Sequence, residues 1–240
     1  MTALGAEIAK FDALAARWWD PDGPMKPLHR MNPLRIGWIA DRLARRHGRD
    51  PKAPDALTGL AILDVGCGAG LASEALARRG ARVTGLDAAG EALDAARAHA
   101  AAADLSIDYR EGLPEDLPEG ETFDAVVALE VIEHVSDRQA FLAALARAAK
   151  PGAPLFLSTL NRTPRSFLMA KLGAEYVLRM LPVGTHDWRM FVTPGELGDG
   201  LRAVGFRVTD IAGMTMDKLT GRWRATRDVG VNYIVMAEAR

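Results

Sequence analysis

The segment Leu63-Asp64-Val65-Gly66-Cys67-Gly68-Ala69-Gly70 constrains what this chain can fold into more than any other stretch. It follows an apolar run of strand length and opens an amphipathic helical pattern. Its glycines therefore mark a strand-to-helix turn on which a ligand can lie without meeting Cβ atoms. From residue 60, short apolar runs alternate with helical periodicity, the pattern of a parallel sheet crossed by helices. The pattern predicts strands near 60–65, 82–87, 105–109, 123–129, 154–159, 206–212 and 230–238, with helices near 70–79, 90–103, 136–149 and 194–204. Only a turn region, 213–229, separates the last two strands, which predicts an antiparallel closing edge. The expected fold class is α/β, a doubly wound sheet of seven strands.

Ahead of this core, Ile8, Phe11, Leu14, Ala15 and Trp18 recur at helical spacing and run into Asp20-Pro21-Asp22-Gly23-Pro24. A second helix is expected with Pro33 just inside its start, Leu34, Trp38, Ile39 and Leu43 on one face, and Arg45-Arg46-His47-Gly48 at its end. Residues 1–57 thus read as a helical cap and 58–240 as the core. The stretch 161–193 interrupts the strand-helix alternation and reads as a lid over the carboxyl edge of the sheet. The formal net charge of -1 leaves no basic field for a polyanion, so nucleic acid is not an expected partner. A single cysteine, Cys67, rules out an intrachain disulfide and a cysteine-based zinc site. The first ten residues lack the marks of a signal or transit peptide, and no apolar run reaches the ~18 residues of a membrane span. A cytoplasmic location is expected.

Three chemistries compete for the glycine turn. A dinucleotide fingerprint needs glycine at the first, third and sixth positions. Here the glycines fall at the first, third and fifth, and the sixth is Leu71. A phosphate-binding loop fails because no Gly-Lys-Ser/Thr follows. Asp64, immediately before the turn, would repel a pyrophosphate but suits an amino group and a sulfonium. Asp87, closing the next strand, is placed to accept hydrogen bonds from both ribose hydroxyls. The expected ligand is S-adenosylmethionine, and a purely structural α/β turn is the alternative.

A second constellation, Leu129-Glu130-Val131-Ile132-Glu133-His134-Val135, follows the fourth strand. If the chain turns helical there, Glu130, Glu133 and His134 fall at i, i+3 and i+4 on one side. Such a face would hold a divalent cation such as magnesium, or would shape a pocket without metal. A cation on two adjacent phenolic oxygens would lower their pKa for attack on a methyl group, and Glu133 or His134 acting as general base is the metal-free alternative.

The core motifs resemble the class I, seven-stranded Rossmann-like methyltransferases over roughly residues 58–210. Further blocks carry the resemblance outward: Arg17-Trp18-Trp19-Asp20, Lys26 to Arg35, Ser158-Thr159-Leu160-Asn161-Arg162, Gly184-Thr185-His186-Asp187 and Asp228 to Tyr233. With them nearly the whole chain resembles the ubiquinone biosynthesis O-methyltransferases. That resemblance implies methylation of catechol-type hydroxyls on two polyprenylated intermediates, a polyprenyl hydroxyphenol and demethylubiquinol. It implies cofactor contacts at Arg35, Gly66, Asp87 and Leu129, with Gly68, Gly70 and Asp64 beside them. His186, in the insertion, is a candidate to approach substrate. The insertion also carries Phe167, Leu168, Met169, Leu172, Tyr176, Val177, Met180 and Leu181 opposite Lys171, Glu175 and Arg179. A helix of this kind can lie in an anionic membrane surface, pack on the core as a lid, or do both. The expected partners are therefore a polyprenylated phenol or quinol, the inner face of a plasma membrane and other ubiquinone-pathway enzymes. The competing readings are a methyltransferase for another small molecule and a non-catalytic quinone or lipid carrier.

Overall fold

The structure is a computed structural model that describes residues 5, 9, 12–168, 188–217 and 220–240. Eight strands among the described residues form one mixed sheet: β1 (Ala61–Val65), β2 (Arg82–Asp87), β3 (Asp108–Glu111), β4 (Ala125–Leu129), β5 (Leu155–Leu160), β6 (Phe206–Met216), β7 (Trp223–Thr226) and β8 (Asn232–Ala239). Their order is β3-β2-β1-β4-β5-β8-β6-β7. The five strands from β3 to β5 are parallel, and β8 runs antiparallel to both β5 and β6. The α-helices that lie wholly within the described residues are α1 (Lys26–Arg46), α2 (Leu71–Ala77), α3 (Gly90–Ala102), α4 (Arg138–Ala148) and α5 (Pro194–Ala203).

Alternation along the strands divides the core between two faces of the sheet. On one face Ile62, Val127 and Phe156 pack with Ile39 and Leu43 of α1 and Leu76 of α2. On the other, Leu63, Val126 and Leu157 pack with Phe141 and Leu145 of α4 and Leu197 and Leu201 of α5. Residues on both sides of position 57 share the first cluster, so α1 belongs to the sandwich. The carboxyl ends of β1, β2, β4 and β5 consequently open at one rim, where a doubly wound sheet binds its ligands.

Three sequence expectations are corrected. The turn region 213–229 contains a strand, β7, which pairs with the end of β6. No apolar run marks it, because Arg224 and Ala225 are exposed and only Trp223 and Thr226 are half-buried. The third strand lies at 108–111, with Asp108 opposite Thr84. Leu105 is still closing α3 through its N–H to the Ala100 carbonyl, so the strand starts late and takes in Arg110 and Glu111, beyond its expected end. Helix α1 begins at Lys26 with Pro27 in its first turn, and Pro33 lies inside it.

Candidate active site

The glycine turn is built by β1 and folded back over β2. The N–H groups of Gly66 and Cys67 both donate to the Leu86 carbonyl, at 2.8 and 3.2 Å. Gly66 has φ 68° and Gly68 φ 52°, in the left-handed region where a side chain is strained. A Cβ on Gly66 would collide with the branched Val131 side chain, and one on Gly68 would lie 2.5 Å from the Trp18 ring. Gly66→Ala is accordingly expected to destabilise the protein by about 1–3 kcal/mol, read from denaturant melts. Gly70, φ 86°, caps α2.

Asp87 lies where the sequence places it, at the end of β2. Its carboxylate accepts from the Gly68 N–H at 2.7 Å and the Ala89 N–H at 2.8 Å. Burial raises its pKa against those two amides. Each oxygen keeps a further lone pair, so the carboxylate is held in one orientation while still able to accept from hydroxyls.

Asp64 is buried at the end of β1 and accepts from the Ser73 hydroxyl at 2.6 Å. Burial pushes its pKa up to about 6, the Ser73 hydrogen bond opposes the rise and the charge of Asp87 adds to it. Arg35, on α1, is only 4% exposed. Its Nη1 is 3.8 Å from Glu130, and its Nε has no hydrogen-bond partner. Burial pulls the guanidinium pKa down, while Glu130, Asp64 and Glu133 pull it up. A buried cation with an unfilled donor is an anion site in waiting, because its desolvation is only partly compensated.

The Glu130–His134 cluster is not the helical face expected. Glu130 has φ 58°, and only Ile132–His134 form a 3-10 turn, so the i, i+3, i+4 geometry does not arise. Glu130 accepts from the Ser158 hydroxyl at 2.6 Å, and Glu133 accepts from the Thr159 hydroxyl at 2.9 Å. The two carboxylates are thus turned onto β5. Among the described residues no group of three or more His, Cys, Asp or Glu side chains comes together to hold a metal ion. The three-residue cation face expected of Glu130, Glu133 and His134 is therefore not formed. Glu133, 4% exposed, has its pKa raised to about 8 by burial and by the charge of Glu130. Leu129 ends β4 opposite Ser158 and is half-buried, and His134 is half-buried beside Glu133. His186, and the insertion beyond Leu168 up to residue 187, lie outside the described residues.

Sequence reasoning missed the cover on this site. Trp18 is buried against Gly68, and Trp19 donates from Nε1 to the Ala69 carbonyl at 3.0 Å while stacking on His99 at 3.4 Å. The Trp18-Trp19 pair was visible as a distinctive block, but nothing in its spacing tied it to a turn fifty residues away. Ser73, which orients Asp64, carried no signal of its own, and Ser158 and Thr159, visible as part of a distinctive block, gave no sign that they bond Glu130 and Glu133.

A methyltransferase domain family matches residues 63–157. The sheet and its helices are similar to the magnesium protoporphyrin IX methyltransferase of Synechocystis PCC 6803 with bound S-adenosylmethionine: TM-score 0.61, 19% identity, 100% of each chain. This likeness shows the class I methyltransferase fold. Sequence relatives go further. The ubiquinone biosynthesis O-methyltransferase of Methylobacterium sp. (strain 4-46) is 51% identical, covering 97% of this chain and 94% of its own. Its namesake from Methylobacterium nodulans is 52% identical over the same shares. At that identity over nearly the full length of both chains, the chain belongs to the ubiquinone biosynthesis O-methyltransferase family.

Proposed function

We propose that this S-adenosylmethionine-dependent O-methyltransferase methylates catechol-type hydroxyls on polyprenylated ubiquinone precursors, with Arg35, Asp64, Gly66, Gly68, Gly70, Asp87 and Leu129 forming the cofactor site. The observation that carries the reading is the buried Arg35 guanidinium with its unfilled Nε, set in the field of Asp64, Glu130 and Glu133. When bound, S-adenosylmethionine supplies an electrophilic methyl group. Arg35 would take the carboxylate of its methionine end, Asp64 would face the ammonium, and Asp87 would accept from the ribose hydroxyls. The glycines let the backbone approach, and Trp18 and Trp19 hold the turn from outside.

The acceptor is a phenol, whose pKa near ~10 leaves it mostly protonated at neutral pH. With the methyl donor bound, Glu133 or His134 would take the phenol's proton as its oxygen accepts the methyl group and the donor leaves as the thioether. A carboxylate with pKa near 8 is well matched to that transfer, because acid and base then differ little in proton affinity. Magnesium has no part in this reading; restoration of turnover by magnesium after exhaustive chelation would reverse that.

The polyprenyl tail requires an approach from lipid. Phe167 and Leu168, 42% and 57% exposed, stand at the start of the insertion, and no described helix is long and apolar enough to cross a membrane. Peripheral docking on an anionic membrane surface fits both facts. Two measurements test the proposal. A prenylated catechol should yield methyl ether and S-adenosylhomocysteine in equal amounts, at lower KM than the unprenylated catechol; no product from a cofactor-loaded enzyme would sink the substrate class. Phe167→Asp with Leu168→Asp should release the protein from anionic liposomes while leaving cofactor binding unchanged. Undiminished co-sedimentation would remove the docking role.

A further inference from the structure

Two buried polar atoms, one helical turn apart on α1, lack a partner: Nε of Arg35 and Oδ1 of Asn32. Asn32 is 5% exposed, and its Nδ2 donates to the Leu71 carbonyl at 2.8 Å. A carbonyl can only accept, so this contact fixes which end of the amide is which. Oδ1 is thus a buried acceptor to which nothing donates, a state that native interiors rarely leave unanswered. Leu71 follows Gly70 and opens α2, so the amide is anchored to the helix that leaves the glycine turn. The i, i+3 spacing sets Asn32 beside Arg35 on one side of α1.

An unfilled acceptor next to an unfilled cationic donor complements a zwitterion. The acceptor meets an ammonium and the guanidinium meets a carboxylate, as an α-amino acid presents them. We propose that Asn32 is a cofactor-binding residue whose Oδ1 accepts a hydrogen bond from the α-ammonium of the methyl donor, beside the carboxylate that Arg35 takes. This rests on the methyl-donor reading above. A purely structural tie between α1 and α2 accounts for Nδ2 but leaves Oδ1 without a function, and an ordered water on Oδ1 is the competing occupant.

Calorimetric titration with three ligands separates these cases: S-adenosylhomocysteine, its deamino analogue, and 5′-methylthioadenosine, which lacks the whole amino acid group. Asn32→Ala is expected to weaken S-adenosylhomocysteine about 10- to 100-fold, the range for a hydrogen bond to a charged group, while leaving the other two nearly unchanged. Equal losses for all three ligands identify a structural tie, and no loss for any of them identifies a water; either result overturns the proposal. Asn32→Asp keeps an acceptor but loses the donor to Leu71. It should therefore retain the preference for S-adenosylhomocysteine over the deamino analogue, and loss of that preference counts against the proposal. Should both variants fail to fold, the unsubstituted protein carries the test. The Asn32 side-chain amide resonances should shift with S-adenosylhomocysteine and not with its deamino analogue, and equal shifts overturn the inference. If the unsubstituted protein binds none of the three at millimolar concentration, the methyl-donor reading itself fails.

Discussion

Arg35→Gln is expected to weaken S-adenosylmethionine binding by roughly 30- to several-thousand-fold, the range for truncating one side of a buried charged contact. The free protein should suffer far less, and the difference follows from its present surroundings. The guanidinium is almost fully buried, 3.8 Å from Glu130, with Nε unfilled, so it is poorly compensated until an anion arrives. Removing it leaves Asp64, Glu130 and Glu133 without their cation. Asp64 and Glu133 already hold protons up to about pH 6 and about 8, because burial penalises their charged forms. Near pH 6 the variant can relieve the repulsion by staying protonated; at pH 8 Asp64 has to ionise beside the charge of Asp87 without Arg35 to offset it. Thermal melts should therefore show a small loss at pH 6 that grows by pH 8. Arg35→Lys restores a point charge but not the planar fork, and should recover only part of the affinity. Titration calorimetry at both pH values decides the matter: a loss under about threefold for Arg35→Gln is far below the cost of a buried charged contact and would remove Arg35 from the cofactor site.

The centre of the sheet was legible because β1, β2, β4 and β5 are buried on both faces and read as continuous apolar runs, each followed by helical periodicity. The departures have local causes. β7 is an edge strand of four residues with half its side chains in solvent, and β3 begins late because the chain spends Ala103 to Leu105 closing α3. The glycine turn and the placement of Asp87 were legible for a related reason: glycine spacing and an acid at a strand end are constraints local to one strand-turn-helix unit. What sequence could not supply was the direction of side chains after β4. The helical reading of Glu130 to His134 assumed ordinary backbone, whereas Glu130 takes φ 58° and turns both acids toward Ser158 and Thr159. Positive φ in a non-glycine residue has no signature in composition or periodicity, and such strain tends to collect at functional sites. The same limit hid Asn32, whose significance depends on which of its two side-chain atoms meets Leu71.

Glu133→Gln should lower kcat by roughly 10²- to 10⁴-fold and flatten its dependence on pH. In the parent enzyme Glu133 is protonated below about pH 8, raised there first by burial and then by the Glu130 charge, with Thr159 opposing. As the acting base it must be ionised, so kcat should climb with pH and level off above about 8, with ionisation of the phenol itself entering only near ~10. Glutamine preserves size and can still bond Thr159, but it accepts no proton, so the limb near 8 should vanish while the cofactor Kd stays unchanged. Stability provides an independent check with a definite sign. The folded protein binds the Glu133 proton more tightly than an unfolded chain, whose carboxyl titrates near its ordinary 4.5, so this group erodes stability as pH rises from 4.5 through about 8. The variant lacks that erosion and should gain in Tm relative to the parent as pH approaches 9. Both results together mark a buried acid kept protonated by its surroundings and used as a base. A stability gain accompanied by an intact pH limb would separate the two roles, leaving Glu133 as a burdened core acid and moving the proton acceptor to His134 or His186. His134→Gln and His186→Gln would then be the variants in which the limb disappears.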